Sequence, residues 1–96
     1  MRALLPALAA AALAAPAVAA APLLTAEAVA EVEPRVLVEG AAFQCAGTTC
    51  KTRSAASRPL VLCERLAKEV GPLTRFAVDG RALDAASLER CNAKAR

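Results

Sequence analysis

The chain opens with a long run of apolar positions that carries no charge. A short basic start, Met1 and Arg2, precedes residues 3–21, which are all apolar. Small residues fill the end of the run and give an A-x-A pattern that stops at Ala19. A basic start, an apolar stretch and an A-x-A ending are typical of a cleavable secretory signal peptide. We therefore predict a signal peptide over residues 1–19.

The alternative for this run is an uncleaved membrane anchor. The run is rich in Ala rather than Leu, and Pro6 and Pro16 interrupt it, so we favour cleavage. Cleavage after Ala20 is nearly as consistent with the pattern as cleavage after Ala19. No later stretch approaches the roughly 20 apolar residues that a membrane span needs. The expected location is periplasmic or secreted.

Beyond the leader, polar and apolar positions predict short strands. Residues 20–34 are rich in Ala and Glu and end at a proline, so we interpret them as a flexible lead-in. A β-branched run at 36–38 is typical of a strand. Residues 41–45 and 50–53 then flank a Gly- and Thr-rich turn at 46–49, which indicates a β-hairpin.

A four-residue turn would place Cys45 opposite Cys50 on one face of this hairpin. Successive strand side chains alternate between faces. The inward face should therefore hold Ala41, Phe43 and Thr52 beside the two cysteines. The outward face should hold Gln44, Lys51 and Arg53.

The clearest helix pattern lies at residues 59–70. Ser57 is a plausible N-cap and Pro59 falls in the first turn, where its missing N–H is harmless. Apolar residues recur at spacings of three and four, namely Leu62, Cys63, Leu66, Ala67 and Val70. Gly71 and Pro72 should end the helix.

The last third of the chain predicts a strand, a tight turn and a second helix. Residues 73–78 form the strand, with Thr74, Phe76 and Val78 on one side. Asp79 and Gly80 are a strong two-residue turn signal, so the chain should fold back briefly after them. Asp84 is then expected to cap a helix that carries Cys91.

These elements predict a small α+β domain over residues 35–93. Its order is β-β-β-α-β-β-α, with two helices packed on a short antiparallel sheet. Removing 19 of the 96 residues leaves 77, and Phe43 and Phe76 are the only aromatic side chains. So short a chain buries little apolar surface and commonly needs disulfides.

The four cysteines, Cys45, Cys50, Cys63 and Cys91, allow three full pairings. Hairpin geometry favours Cys45 with Cys50, which leaves Cys63 with Cys91 to join the two helices. An exported chain meets an oxidising compartment, where such pairs form disulfides. Loop closure gives about 2 kcal/mol for the short ring and about 3.5 kcal/mol for the long one. We expect both bridges to be structural.

Two alternatives for the cysteines remain open. A redox-active dithiol would use Cys45 and Cys50, although redox enzymes of the thioredoxin type place C-x-x-C at the start of a helix. A four-cysteine zinc site normally has two pairs of closely spaced ligands. This chain offers one loose pair and no histidine. No cofactor or metal is therefore expected.

Charge is distributed unevenly along the chain. The net charge is +3 for the whole sequence. Acids dominate between residues 20 and 39, and bases dominate from Gly40 onward. A basic surface favours anionic partners, here an anionic envelope component. The candidate surface residues are Lys51, Arg53, Arg58, Arg65 and Arg75.

Most catalytic chemistry is excluded by composition. Without histidine, Ser-His and Cys-His nucleophile arrangements cannot be built. The four glycines are scattered, so there is no phosphate-binding loop. A nucleic-acid-binding protein normally has aromatic side chains that stack on bases as well as basic groups. Two Phe residues are too few for such a binding surface. We predict no catalytic residues and no nucleic-acid partner.

Several residues along the chain together resemble a known family. They are Phe43-Gln44-Cys45-Ala46-Gly47-Thr48-Thr49-Cys50, Ser57-Arg58-Pro59, residues 63–71, Phe76, Asp79-Gly80, Leu83, and Leu88 to Cys91-Asn92. This set resembles a family of short exported alphaproteobacterial proteins of uncharacterised function with a four-cysteine framework. Phe43 stands where that family commonly has Trp. The resemblance implies an exported, disulfide-bearing α+β domain and carries over no activity or active-site residue.

The sequence therefore favours a non-enzymatic binding or envelope-associated module stabilised by two disulfides. The alternative is a thiol redox protein or sensor that uses Cys45 and Cys50. The ligand and the oligomeric state are not encoded in any motif.

Overall fold

The computed structural model describes residues 20–96. The predicted signal peptide over residues 1–19 lies outside the described residues. Eight elements follow in the order β1 Leu23–Ala28, β2 Arg35–Val38, β3 Ala41–Ala46, β4 Thr49–Arg53, α1 Pro59–Val70, β5 Leu73–Val78, β6 Arg81–Ala82 and α2 Ala85–Asn92. The strands form one antiparallel sheet in the order β2-β3-β4-β1-β5-β6. Both helices pack on it, so the predicted α+β class is confirmed.

The prediction of a flexible lead-in over residues 20–34 is wrong. The segment contains β1, which lies near the middle of the sheet between β4 and β5. Leu24 and Ala26 are 0% and 2% exposed, whereas the alternate residues Thr25 and Glu27 lie on the other face. Alanine is a weak strand former. Pairing with two distant strands, rather than local preference, makes this segment a strand.

Two tight turns set the register of strands β2, β3 and β4. Glu39 and Gly40 both have positive φ angles, 45° and 79°, as a two-residue turn of the mirror-image type requires. The β3–β4 turn is also two residues long, Gly47 and Thr48, because Ala46 pairs with Thr49. The expected four-residue turn is thus too long by one residue on each side.

The predicted faces of the β3–β4 hairpin are confirmed. Cys45 lies directly opposite Cys50. Ala41 and Phe43 are buried, and Thr52 is half-buried on the same face. The outward set is exposed, namely Gln44, Lys51 and Arg53. Two-residue alternation alone was enough to orient these side chains.

Helix α1 has the predicted bounds but a different start. Its N-cap is Arg58 rather than Ser57, and no side chain caps it. Pro59 explains the start, because a proline fits the first helical position, where the N–H has no intrahelical partner. The predicted stripe is buried at Leu62, Cys63, Leu66 and Ala67. Gly71, at φ 95°, ends the helix and donates its N–H to the Ala67 carbonyl at 2.8 Å.

Strand β5 contains an irregularity that the sequence pattern did not predict. Glu27 pairs with Arg75, but the next β1 residue, Ala28, pairs with Leu73, so Thr74 is an extra residue on β5. Such a bulge shifts the alternation of faces by one residue. Leu73 and Phe76 are therefore both buried and Thr74 is exposed. Placing Thr74 on the same side as Phe76 was wrong for this reason.

Helix α2 is anchored to the sheet at its C-terminal end. Asp84 is at the N-cap as predicted, but its carboxylate makes no capping hydrogen bond. At the other end, the Leu73 N–H donates to Asn92 Oδ1 at 2.9 Å and Asn92 Nδ2 donates to the Leu73 carbonyl at 2.7 Å. Asn92 thus satisfies both backbone groups of a residue at the start of β5.

The core lies between the sheet and the helices and contains three of the four cysteines. Cys50, Cys63 and Cys91 are each at most 1% exposed, and Cys45 is half-buried. Disulfides join Cys45 to Cys50 and Cys63 to Cys91, which is the pairing predicted from hairpin geometry. The second bridge links α1 to α2 across residues that are 28 positions apart.

Candidate functional site

The sheet has one face that the helices leave uncovered. Helix residues share a core cluster with the side chains of Leu24, Ala26 and Phe43, so both helices lie on that side. Alternation sends the intervening side chains to the opposite side, which we call the open face. It is formed by Leu23, Thr25 and Glu27 of β1, Arg35 and Leu37 of β2, Ala42, Gln44 and Ala46 of β3, Thr49, Lys51 and Arg53 of β4, Arg75 and the buried Ala77 of β5, and Ala82 of β6.

Strand register aligns several of these residues in one row across the sheet. Arg35 pairs with Gln44, and Gln44 pairs with Lys51. The row continues from Lys51 to Thr25 and on to Ala77. Neighbouring strands are about 4.8 Å apart, so Arg35 and Lys51 start about 10 Å apart at the backbone. Two cations therefore flank a glutamine on a surface of small side chains.

Two further cations lie on either side of this row. Arg53 is two residues along β4 from Lys51, about 7 Å at the backbone, and its Nη1 donates to the Ala21 carbonyl at 3.2 Å. Arg75 lies on β5, opposite Glu27. Both arginines are exposed. The open face thus carries four basic side chains.

Glu27 is the one acid on this face, and its carboxylate is occupied by hydroxyl groups. Thr49 Oγ1 donates to Glu27 Oε2 at 2.7 Å, and Thr48 Oγ1 donates to Glu27 Oε1 at 3.3 Å. Across residues 20–96 the carboxylate forms no ion pair with Arg75, its cross-strand neighbour. The face has a net charge of +3, and none of its bases is in an ion pair within the described part of the chain.

The five predicted surface bases divide between two sides of the molecule. Lys51, Arg53 and Arg75 lie together on the open face. Arg58 is at the start of α1, and Arg65 Nε lies 3.5 Å from Glu39 Oε2 on the helix side. Arg35 completes the open face but was absent from the predicted set. Its signal lay beside the strand predicted at 36–38, because Arg35 directly precedes that strand and has the same alternation phase as Leu37.

The disulfides differ in their access to solvent. Cys63 and Cys91 are both 0% exposed. Cys45 is half-buried, and Cys50 is 1% exposed. A shallow hollow of about 470 Å³ at the end of the β3–β4 hairpin is lined by Cys45 and by Gln44, Ala46, Thr49 and Lys51, whose side chains are on the open face, opposite to the disulfide. All four sulfurs are in disulfides, so none is a free thiolate ligand for zinc. Of the two bridges, Cys45–Cys50 is the more accessible to solvent, through Cys45.

Three other findings concern residues 20–96. The Ser87 side chain, by hydrogen bonding, holds the pKa of the Asp84 carboxyl below its usual value. Among these residues, no three or more carboxylate or cysteine side chains cluster as metal ligands. No helix in the described region has the length and apolar character needed to cross a membrane.

Comparison with known proteins identifies a family without an assigned activity. Residues 8–93 match a family of unknown function (DUF8200). No curated protein and no solved structure matches the chain. The open face and the exposed end of the short disulfide therefore carry the functional argument.

Proposed function

We propose that this chain, which belongs to the DUF8200 family of unknown function, is an exported, non-enzymatic module whose open face binds an anionic surface of the cell envelope. One observation carries the proposal. Four exposed bases without ion-pair partners among residues 20–96 share the helix-free face of the sheet, where only Glu27 opposes them.

Export is supported by two independent features. The charge-free run after Arg2 has the order of a signal peptide. The two disulfides of the domain fit an oxidising compartment, since they persist outside the reducing cytosol. In that compartment the module would meet phosphate- and carboxylate-bearing envelope surfaces.

The expected affinity is modest and sensitive to salt. A basic group near an anionic lipid surface contributes about 1 kcal/mol. With three net charges, the open face would supply about 3 kcal/mol, or roughly a 150-fold preference for an anionic over a neutral surface. At physiological ionic strength, charges are screened over about 8 Å. Binding should therefore weaken steeply as salt is raised.

The test compares two double variants with the same change in charge. Lys51→Gln with Arg53→Gln removes two bases from the open face. Arg58→Gln with Arg65→Gln removes two bases from the helix side and serves as the control. Each oxidised protein is sedimented with vesicles of an anionic phospholipid mixed with phosphatidylcholine, and with phosphatidylcholine alone.

The open-face variant should bind anionic vesicles about 30-fold more weakly, because two bases contribute about 2 kcal/mol. The control should bind like the parent. Equal losses in both variants would show that only net charge matters. Binding that persists unchanged at high salt would contradict an electrostatic open face.

A second candidate function is thiol redox exchange at the short disulfide, favoured by the half-buried position of Cys45, since both cysteines of the other bridge are 0% exposed. An incoming thiolate would attack one sulfur, form a mixed disulfide and release the other cysteine as a thiolate. Mild reduction, alkylation and intact-mass measurement test this. Selective opening of Cys45–Cys50, with Cys63–Cys91 intact, supports exchange, and resistance of both bridges opposes it.

A further inference from the structure

Strand β2 lies at one edge of the sheet and has an unpaired side. The two-residue Glu39–Gly40 turn makes Val38 and Ala41 a hydrogen-bonded pair. Such pairs alternate along an antiparallel ladder, and the Cys45 N–H donation to the Pro34 carbonyl at 2.8 Å has the same phase. The N–H and C=O groups of Arg35 and Leu37 therefore point away from the sheet.

The protection of this edge is limited to the short length of β2, one charged residue, Arg35, and the preceding Pro34. Leu37 is 71% exposed on a strand of sequence RVLV. Open space follows the strand in two hollows of about 380 and 230 Å³ between β2 and the end of α1, both lined by Leu37 and Glu69. An exposed, apolar edge strand with room beside it is a template for another strand.

The charges along this edge are balanced, unlike those of the open face. The residues lining the two hollows include four acids and four bases. They are Glu31, Glu33, Glu39 and Glu69, with Arg35, Arg65, Lys68 and Arg96. A surface of mixed sign and no net charge can approach a copy of itself, whereas two open faces would repel each other.

We propose that β2 pairs with β2 of a second copy of this chain, antiparallel, about a two-fold axis through Val36. In this register Arg35 of each copy lies opposite Leu37 of the other. Each of these two pairs exchanges both an N–H and a C=O, so all four outward residues are satisfied by four hydrogen bonds.

Other registers leave more of the outward N–H and C=O groups of β2 without a hydrogen-bond partner. Directly opposed side chains in an antiparallel sheet share a face, so only pairings of odd with odd residues keep the two open faces together. An axis through Leu37 would pair that residue with itself and move Arg35 against the Glu39 turn. Only two hydrogen bonds would then form. The groups that point outward from β2 are thus symmetric about Val36.

The resulting dimer would contain one continuous sheet. A two-fold axis perpendicular to the sheet keeps both open faces on the same side. The basic residues of two copies would then form one extended surface, and Leu37 would lie against the aliphatic part of Arg35 of the second copy. This assembly does not depend on vesicle binding, so each proposal can fail without the other.

The test uses the position of Leu37 opposite a cation. Leu37→Lys places a like charge against Arg35 of the second copy, and Leu37→Glu places an opposite charge there. By symmetry each effect occurs twice, so the two variants should differ by roughly tenfold or more in dimer Kd. Val29→Lys and Val29→Glu are the controls, because Val29 is 63% exposed and lies outside β2.

Sedimentation equilibrium of the oxidised, exported protein, over a range of concentrations, measures the mass. The parent and Leu37→Glu should show concentration-dependent dimers, and Leu37→Lys should be shifted toward monomer. The two Val29 variants should have the same dimer Kd as each other. In the dimer, hydrogen exchange should slow at the Arg35 and Leu37 amides. A monomer at every concentration overturns the proposal, as do equal effects of the two Leu37 charges. Capture of an extended peptide by a monomeric β2 edge would also overturn it.

Discussion

The Cys63–Cys91 bridge should hold much of the stability of this domain. Both residues are 0% exposed, and the bridge joins the buried sides of α1 and α2. Replacing both with alanine removes the cross-link and keeps the site apolar. The perturbation therefore tests the covalent link with only a small change in packing.

The size of the effect follows from the length of chain that the bridge closes. For a sequence separation of 28, the loop-entropy relation gives about 3.5 kcal/mol. A domain of this size has a total unfolding free energy of roughly 4–11 kcal/mol. Its unfolding entropy is about 0.16 kcal/mol per kelvin, so the melting temperature should fall by about 20 °C.

Thermal unfolding followed by far-ultraviolet circular dichroism measures this shift. The matched control is Cys45→Ala with Cys50→Ala, which opens a ring of sequence separation 5. That ring should contribute about 2 kcal/mol and a shift of about 12 °C. A long-bridge variant that melts within a few degrees of the parent would refute the reasoning. So would a larger loss from the short bridge than from the long one.

Two further predictions concern the ends of α2. Asn92→Ala should lower the unfolding free energy by about 2 kcal/mol, because both backbone groups of Leu73 lose their partners; a thermal melt within 2 °C of the parent would contradict this. The lowered pKa of Asp84 means that its carboxylate stabilises the fold above the unfolded-state pKa and that this contribution is lost as pH falls through the folded-state pKa. Asp84→Asn should therefore melt below the parent at pH 7 and equal it near pH 2, and a difference that persists in acid would show that the ionised carboxylate is not responsible.

Features specified by short stretches of sequence were predicted correctly. The stripe of α1 repeats every three or four residues, and Pro59 and Gly71 limit it at both ends. The β3–β4 hairpin follows from two alternating runs around a turn, and that geometry predicted the Cys45–Cys50 disulfide. In each case the interactions that decide the structure lie within a few turns or one hairpin.

Features that depend on distant partners were missed. β1 was interpreted as a lead-in because its alanines give a weak local signal, although β4 and β5 hold it on both sides. The bulge at Thr74 arises from a register shift between β1 and β5, and no sequence pattern within β5 predicts it. The contact between Asn92 and Leu73 likewise joins residues 19 positions apart.

By itself the sequence determined the leader pattern, the short strands, the amphipathic helix and the supply of cysteines, because each depends on neighbouring residues and on composition. Only the tertiary structure decided which bases share a surface. Lys51, Arg53 and Arg75 become one face because β1 enters between β4 and β5 and aligns them, and Arg35 joins them through the β2–β3 register. Strand order and register depend on pairing between segments that are distant in the sequence. The residues beside a side chain in the chain therefore do not determine its neighbours across the sheet.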